Sequence, residues 1–386
     1  MARNELERLQ AHHWRSTYAS SCFRAHRCAT RGPRCPPPVL GSGEVIVDVT
    51  ASRVLSYAGE VFGGQRTYPF DLPAVPGPGS IGRVRATGND ATKLKPGDWV
   101  YCDPTIRARD DALTPDIMLQ GLIAPGAGPQ RLRAWVGDGG WDEQILVPTE
   151  NVTPLGEIGT KEALQWCALG TLLVPFGGLL AAELQAGETL LLHGATGSFG
   201  SAGVAVALAL GAGCVVAPGR NRAMLDELVR RFGDRVRTVV LSGDAAVDLV
   251  AMRAAALGPI DCVLDLMPPS VPASAVRAAA MTVRPGGRVI LMGGVGMEGG
   301  DEFSLPYPWL MRNDVTVRGK WMYPRWAPGR LVALIRAGLL DLAQFTPTVF
   351  PLERVAEAVA HAAANSGAFQ MTVLCPSVRT QPAIEI

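Results

Sequence analysis

From Thr189 to Gly293 short apolar runs alternate with longer helical patterns, and few folds accept that alternation. "TLLLHGA" reads as a strand and "GSAGVAVALALG" as a helix. "CVVAPG" is followed by "NRAMLDELVRRFG", "RTVVLS" by Ala245 to Ala256, and "DCVLDLM" by Val271 to Val283, before "GRVILMG" closes the series. Strands separated by helices of this length are joined by crossovers, and so run parallel. The series predicts an α/β fold with a doubly wound parallel sheet. Just ahead of it, "KEALQWCALGTLLVPFGGLLAAEL" reads as one buried helix broken by Pro175.

The flanking segments have another rhythm. From Gly41, "GEVIVDVTA" alternates as a half-buried strand, and "GSIGRVRATG", "KPGDWVYCD" and "GGWDEQILVPTENV" follow as strands set off by Gly and Pro-Gly turns. Residues from about 343 return to a strand, the helix "LERVAEAVAHAAAN" and the strand "AFQMTVLC". The organisation expected is a β-rich domain over 39–159 and 343–386, with a nucleotide-type domain over 160–342 between its two parts. Residues 1–38 stand apart. They hold His12, His13 and His26, three cysteines and seven arginines against Glu5 and Glu7, with no apolar period past Leu9. A disordered basic tail, a transit segment and a start that is not native all stay open there. Cys22, His26, Cys28 and Cys35 match no common zinc spacing.

The chain has 386 residues, formal net charge +1 and 18% charged residues. That balance gives no electrostatic reason for a nucleic-acid or anionic-membrane partner. No window of about 18 uncharged apolar residues stands out as a spanning segment. The eight cysteines include no CxxC pair and are scattered beyond residue 35, so a reduced, cytoplasmic protein acting on a small molecule is expected.

"TLLLHGATGSFGSAG" places a glycine-rich turn after a strand and before a helix, the context in which such a turn binds a dinucleotide pyrophosphate. Ala195, Thr196, Gly197, Ser198, Phe199 and Gly200 form the candidate cradle, with Ala195 where G-x-G-x-x-G would have its first glycine. At the end of the next strand an NAD site usually has Asp or Glu. Here Ala217, Pro218 and Gly219 are followed by Arg220 and Arg222. With no acid to repel a 2′-phosphate and two guanidiniums at a helix start, where positive charge opposes the dipole, the cofactor expected is NADP(H).

"GEVIVDV", "VPGPGSIGRV", "KPGDWV", "HGATGSFGSAG", "VLDLM" and "RPGGRVILMGG" together resemble the medium-chain dehydrogenase/reductase superfamily over residues 40–380. The resemblance implies a GroES-like catalytic domain beside the Rossmann domain, and a possible homodimer. Zinc-dependent members read V-P-G-H-E where this chain has Pro78-Gly79, and carry a first ligand Cys where it has Leu55. Cys167 lies near the third ligand position. The structural zinc lobe has four cysteines, and between Lys95 and Val147 there is only Cys102. One thiol cannot hold a catalytic zinc, which needs about three protein ligands. No metal is therefore expected, and the resemblance narrows to the zinc-independent, quinone oxidoreductase-like and enoyl reductase-like branch.

Without a Lewis acid the substrate oxygen needs a protein donor. Tyr57 aligns with the Ser or Thr proton relay of zinc enzymes, and Tyr68 resembles a tyrosine found before the turn in zinc-free reductases. Thr171 and Val174 fall where the family helix passes under the nicotinamide, and Gly293, Gly294 and Val295 where the carboxamide docks. Trp321 and Tyr323 are placed on the substrate side. The expected function is NADPH-dependent reduction of an activated C=C or a quinone. A metal-free alcohol dehydrogenase or carbonyl reductase, and a non-catalytic NADPH-binding protein, are the alternatives. Deleting residues 1–38 is expected to leave the melting temperature nearly unchanged in a calorimetric scan, and a drop of many degrees would show that the tail supplies a strand.

Overall fold

The computed structural model describes residues 38–66, 68–69 and 74–376. The expectation for residues 1–38 lies, Pro38 apart, outside the described residues. Two compact units are present. One comprises the chain up to Gly170, Phe345–Asn365 and the residues from Met371, and the other comprises Thr171–Gln344 with Ser366–Gln370.

The first unit opens with β1 (Glu44–Val54), α1 (Ala58–Phe62), β2 (Ser80–Thr87), β3 (Trp99–Cys102), β4 (Thr105–Arg107), β5 (Ile117–Leu119), α2 (Ala127–Val136), β6 (Gln144–Pro148), β7 (Val152–Pro154) and α3 (Thr160–Trp166). Helix α4 (Leu169–Ala181) leads into the second unit. There β8 (Thr189–His193), α5 (Ser198–Ala209), β9 (Cys214–Gly219), α6 (Arg222–Phe232), β10 (Val236–Val240), α7 (Ala245–Ala255), β11 (Ile260–Asp265), α8 (Ala273–Ala280) and β12 (Val283–Leu291) follow in turn. α9 (Tyr307–Arg312), β13 (Thr316–Gly319) and α10 (Ala327–Arg336) complete it, and β14 (Thr346–Pro351), α11 (Val355–Ala364) and β15 (Gln370–Cys375) close the chain.

The first unit is built on a sheet ordered β14-β15-β1-β2-β3-β7, with β6 pairing β1. All three partners of β1 run antiparallel to it, and the apolar faces of Val45, Val47, Val49, Val84, Val100 and Ile145 form its core. The alternation in "GEVIVDVTA" is what allows one face to be buried in this way. Within β2, Gly82 has a steric reason to be glycine. A Cβ on Gly82 would lie 2.2 Å from the Asp48 carbonyl oxygen, so only glycine lets the two strands approach. Where the resemblance puts a cysteine lobe, the chain packs the β4–β5 hairpin against α2 through Ile106, Met118, Ala124 and Val136. Trp135 Nε1 donates to Glu44 at 2.6 Å, and the Arg109 guanidinium lies 4.6 Å from the centre of the Trp135 ring.

The second unit is a six-stranded parallel sheet ordered β10-β9-β8-β11-β12-β13. The strand order reverses between β8 and β11, the switch point beside which open α/β sheets bind ligands. This is the doubly wound sheet expected. Several details differ from the sequence reading. The 161–184 pattern is two helices, α3 ending at Cys167 and α4 carrying Pro175 inside. Together they form a stretch, Thr160–Ala181, long and apolar enough to cross a membrane, and 72% of its most apolar window is buried inside the protein. β12 stops at Leu291, so Gly293, Gly294 and Val295 lie beyond the strand rather than at its end. β4, β5, α2, α9, β13 and α10 were not read from the pattern, being short or bounded by irregular segments.

Candidate active site

In the second unit β8 runs apolar and fully buried up to His193, and the chain then turns through Gly194–Gly197 into α5. Gly197 is the N-cap residue and supplies no side-chain cap. Gly200 sits over the turn so closely that a Cβ would lie 1.9 Å from the Gly194 carbonyl oxygen. Ala195 is buried in the turn, and Thr196, Ser198 and Phe199 complete the segment. A bare turn at the N-terminus of a twelve-residue helix offers backbone N–H groups and positive dipole to an anion. His193 Nδ1 and Asp265 Oδ1, 2.8 Å apart and both buried, tie β8 to β11 directly beneath it. The sequence reading had His193 only as the residue before the turn.

β9 ends at Gly219, where a Cβ would meet Thr196 Cγ2 at 2.5 Å. An acidic side chain there would displace the phosphate turn. Arg220 and Arg222 follow, both exposed, and among the described residues neither makes an ion pair. Asn221 between them caps α6 by accepting from Met224 N at 3.2 Å, and no acid stands in that helix's first turn. On α4, Thr171 is fully buried with its hydroxyl oxygen unpartnered among the described residues, and Val174 is half-buried. Gly293, Gly294 and Val295 are partly exposed, with Gly294 N bonded to Met267 O at 2.8 Å. Tyr323 is buried and Trp321 is half exposed. The orphaned Thr171 hydroxyl and the side-chain-free turn at Gly200 fit a bound nicotinamide dinucleotide.

In the first unit β1 runs straight into the second cluster. Tyr57 is half-buried at the N-cap of α1. Tyr68 packs edge-on to it, ring centres 6.2 Å apart. The Arg66 guanidinium lies 4.4 Å from the centre of the Tyr57 ring and 5.8 Å from that of Tyr68, and Glu60 holds it from below at 2.7 and 3.1 Å. Burial, and then the neighbouring Tyr68, push the Tyr57 hydroxyl well above the ordinary phenol range, while Arg53 and Arg66 pull the other way. Tyr57 therefore stays protonated through the neutral range.

Two members of this cluster escaped the sequence reading. Arg53, near the end of β1, is buried, and burial pulls its guanidinium down to about 10. It acts electrostatically on Tyr57, Cys167 and Tyr101. Tyr101 is buried on β3, with its hydroxyl facing Gly79. The available signal was an arginine inside an apolar strand pattern, "VTASRVL".

The zinc positions can be tested on these residues. Leu55 is buried and apolar, and Pro78 and Gly79 have no donor side chain. A Cβ on Gly79 would lie 3.3 Å from the Tyr101 hydroxyl and from Pro104 Cδ, at φ +79°. Burial, and then the neighbouring Cys375, push the Cys167 thiol far up, away from the thiolate a metal requires, and Arg53 offsets this only in part. Among the described residues no three His, Cys, Asp or Glu side chains come together as a metal site. These residues do not fit a catalytic zinc.

Residues 41–157 match the alcohol dehydrogenase GroES-like domain. Over most of its length the chain is similar to alcohol dehydrogenases and related reductases. It is 25% identical over 336 residues to a probable zinc-binding alcohol dehydrogenase of Mycobacterium tuberculosis, spanning 86% of this chain and 82% of that protein. It is 25% identical over 256 residues to the mitochondrial enoyl-[acyl-carrier-protein] reductase of Rattus norvegicus, spanning 65% of this chain and 57% of that one. The structure of alcohol dehydrogenase TADH from Thermus sp. ATN1 has the same fold, with a TM-score of 0.73 at 20% identity over 89% of this chain and 95% of the other. Arg220 and Arg222, at the start of α6, are the residues at which a preference between NADPH and NADH can be tested. Replacing both with Ala is expected to raise the KM for NADPH, at roughly 1.5–3 kcal/mol for each charge-assisted bond before solvent screening, and barely to move that for NADH. Equal losses for both cofactors would count against the assignment.

Proposed function

We propose that this medium-chain oxidoreductase reduces an activated C=C bond or a quinone with NADPH and without zinc. The observation that carries this reading is Tyr57, packed under Arg66 and beside Tyr68 two residues after the position of the missing ligand Leu55. The Ala195–Gly200 turn, Gly219, Arg220, Arg222 and Thr171 hold the dinucleotide, which when bound supplies the hydride. Gly293, Gly294 and Val295 are assigned to the carboxamide and Val174 to the nicotinamide face. As hydride adds to carbon in a conjugated acceptor, the π electrons move to oxygen. Tyr57 donates a hydrogen bond to that oxygen and then its proton, and solvent returns one to the phenol. Tyr68 holds the Tyr57 ring at its edge. An unconjugated ketone lacks such delocalisation, which is why the acceptor class is an enone, an enoyl thioester or a quinone.

The test is a panel of enones, quinones and aldehydes against the purified protein with NADPH and with NADH. The expected result is NADPH oxidation with enones or quinones, undiminished by chelator, in protein with no stoichiometric zinc by elemental analysis. Tyr57→Phe is expected to lower kcat on an enone by about 10²–10³, with NADPH affinity retained. One zinc per chain after dialysis, or turnover of aldehydes alone, would overturn the reading.

A homodimer is the proposed assembly. Strand β13 is a sheet edge with all four residues exposed, and Tyr307 and Met311 in the preceding helix are exposed as well. Such an edge invites pairing with a second copy. Analytical ultracentrifugation giving a monomer at micromolar concentration would refute this.

A further inference from the structure

Two ionisable side chains are buried in the parallel sheet of the second unit, and the proposed reaction uses neither. β8 is apolar from Leu190 to Leu192 and ends on His193, and β11 is apolar from Cys262 to Leu264 and ends on Asp265. The two end residues are partners in the parallel register, with Nδ1 and Oδ1 2.8 Å apart and exposures of 1% and 2%. Burying such a pair is costly, and apolar side chains would often serve a core as well. The register does not need it either, because Cys262–Leu190, Val263–Leu191 and Leu264–Leu192 already align the strands. What distinguishes the pair is its reach beyond the strand ends. His193 leads directly into the Gly194–Gly197 turn, and its carbonyl accepts from Leu266 N at 3.0 Å. On the other side of Asp265, β12 ends at Leu291, and Met292 N donates to the Asp265 carbonyl at 3.0 Å. Oδ2 of the same carboxylate lies 2.5 Å from where a Cβ on Gly293 would be. One oxygen of Asp265 therefore faces the residue that opens the phosphate turn, and the other lies against the Gly293–Val295 loop.

We propose that His193 and Asp265 are the positioning pair of the dinucleotide site: they hold the phosphate turn and the Gly293–Val295 loop at one fixed separation, so that a dinucleotide is gripped at both ends at once. The inference rests on the functional reading above, which gives the turn to the pyrophosphate and the loop to the carboxamide. A molecule held at two points gains from the second only if the two are the right distance apart. The turn and the loop follow different strands, and a buried, charge-assisted hydrogen bond ties strand ends more directionally than an apolar contact does. Gly293 belongs to the same arrangement. A side chain there would meet the Asp265 carboxylate and, at 2.6 Å, the Met267 carbonyl oxygen, and would push the loop away from the turn.

The experiment measures binding to the full-length protein by titration calorimetry. The ligands are NADPH and 2′-phospho-ADP-ribose, which lacks only the nicotinamide, with NADH and ADP-ribose run in parallel. Asp265→Ala is expected to weaken NADPH about tenfold and to leave 2′-phospho-ADP-ribose within about twofold of the wild type. Asp265→Asn, which keeps the shape and a hydrogen-bonding oxygen, is expected to stay within about threefold for both ligands. His193→Leu combined with Asp265→Leu leaves no unpaired polar group at the pair, so it gives the answer where the Ala variant does not fold, and the same selective loss is expected from it. Equal weakening of dinucleotide and fragment would show a pair that only supports the fold, and would overturn the inference. Unchanged NADPH affinity in the Ala and double Leu variants would overturn it as well, and both results leave the reductase reading intact. A wild type that prefers NADH overturns the roles of Arg220 and Arg222, and the pair is then judged on NADH against ADP-ribose. A wild type that binds neither dinucleotide would overturn pair and reading together.

Discussion

One strand decides the geometry of the substrate half. β1 is hydrogen-bonded to β6 through Glu44–Asp48, to β2 through Val45–Ser52 and to β15 through Ser52–Val54. Its direction and register are therefore held from three sides. The register with β2 shifts between Val49 and Ala51, opposite Gly82 and Ile81. Past that shift the alternation of buried and open faces ends, and Ala51, Ser52, Arg53 and Val54 are all buried. The strand then delivers its last residues into α1, whose first turn carries Tyr57 and Glu60. Arg53 is thus placed by the sheet, and Tyr57 follows three residues after the end of the strand as the N-cap residue of α1.

A phenol proton donor, as proposed for Tyr57, and a metal ion solve the same electrostatic problem with different demands on the chain. Zinc requires about three donor side chains converging from separate segments. A phenol requires only one side chain held in place and kept protonated. Leu55, Pro78 and Gly79 offer no donor side chain, and the Tyr101 hydroxyl lies beside Gly79. In the proposed reading the electrophile is a phenol held in its neutral form by burial, which is weaker than a metal ion. A weaker electrophile confines the chemistry to acceptors that spread the incoming charge themselves. The proposed substrate class and the composition of the pocket are in this sense one statement.

The two halves of the molecule differ in how openly the sequence displays them. The parallel sheet, its first turn and the GroES-like half were legible, because strand–helix alternation and Gly-rich turns are backbone requirements that few residue types satisfy. Gly200 and Gly219 are glycines because backbone or Thr196 already occupies the space a side chain would take. Arg53 and Tyr101 were not legible. An arginine in a strand ordinarily faces water, and only the register shift in β1 together with β15 on its flank buries this one. The end of β12 was overrun at Gly293–Val295 because "LMGGV" continues the apolar pattern after the pairing with β13 has stopped at Leu291. The lobe between β4 and β6 stayed unread because its core is spread over short segments, none long enough to show a period.

The dinucleotide end rests on a single lack of space. Discrimination between NAD and NADP at the end of β9 is usually described by charge, an acid against a base. Here sterics act first. With the Thr196 methyl 2.5 Å from where a Cβ on Gly219 would lie, a side chain at that position would require Thr196 to shift. Arg220 and Arg222 then lie beside a gap that has no negative charge to neutralise them, at the start of a helix whose dipole disfavours them. A phosphate is the group that relieves both conditions at once, by pairing with the guanidiniums and by placing negative charge at the helix N-terminus.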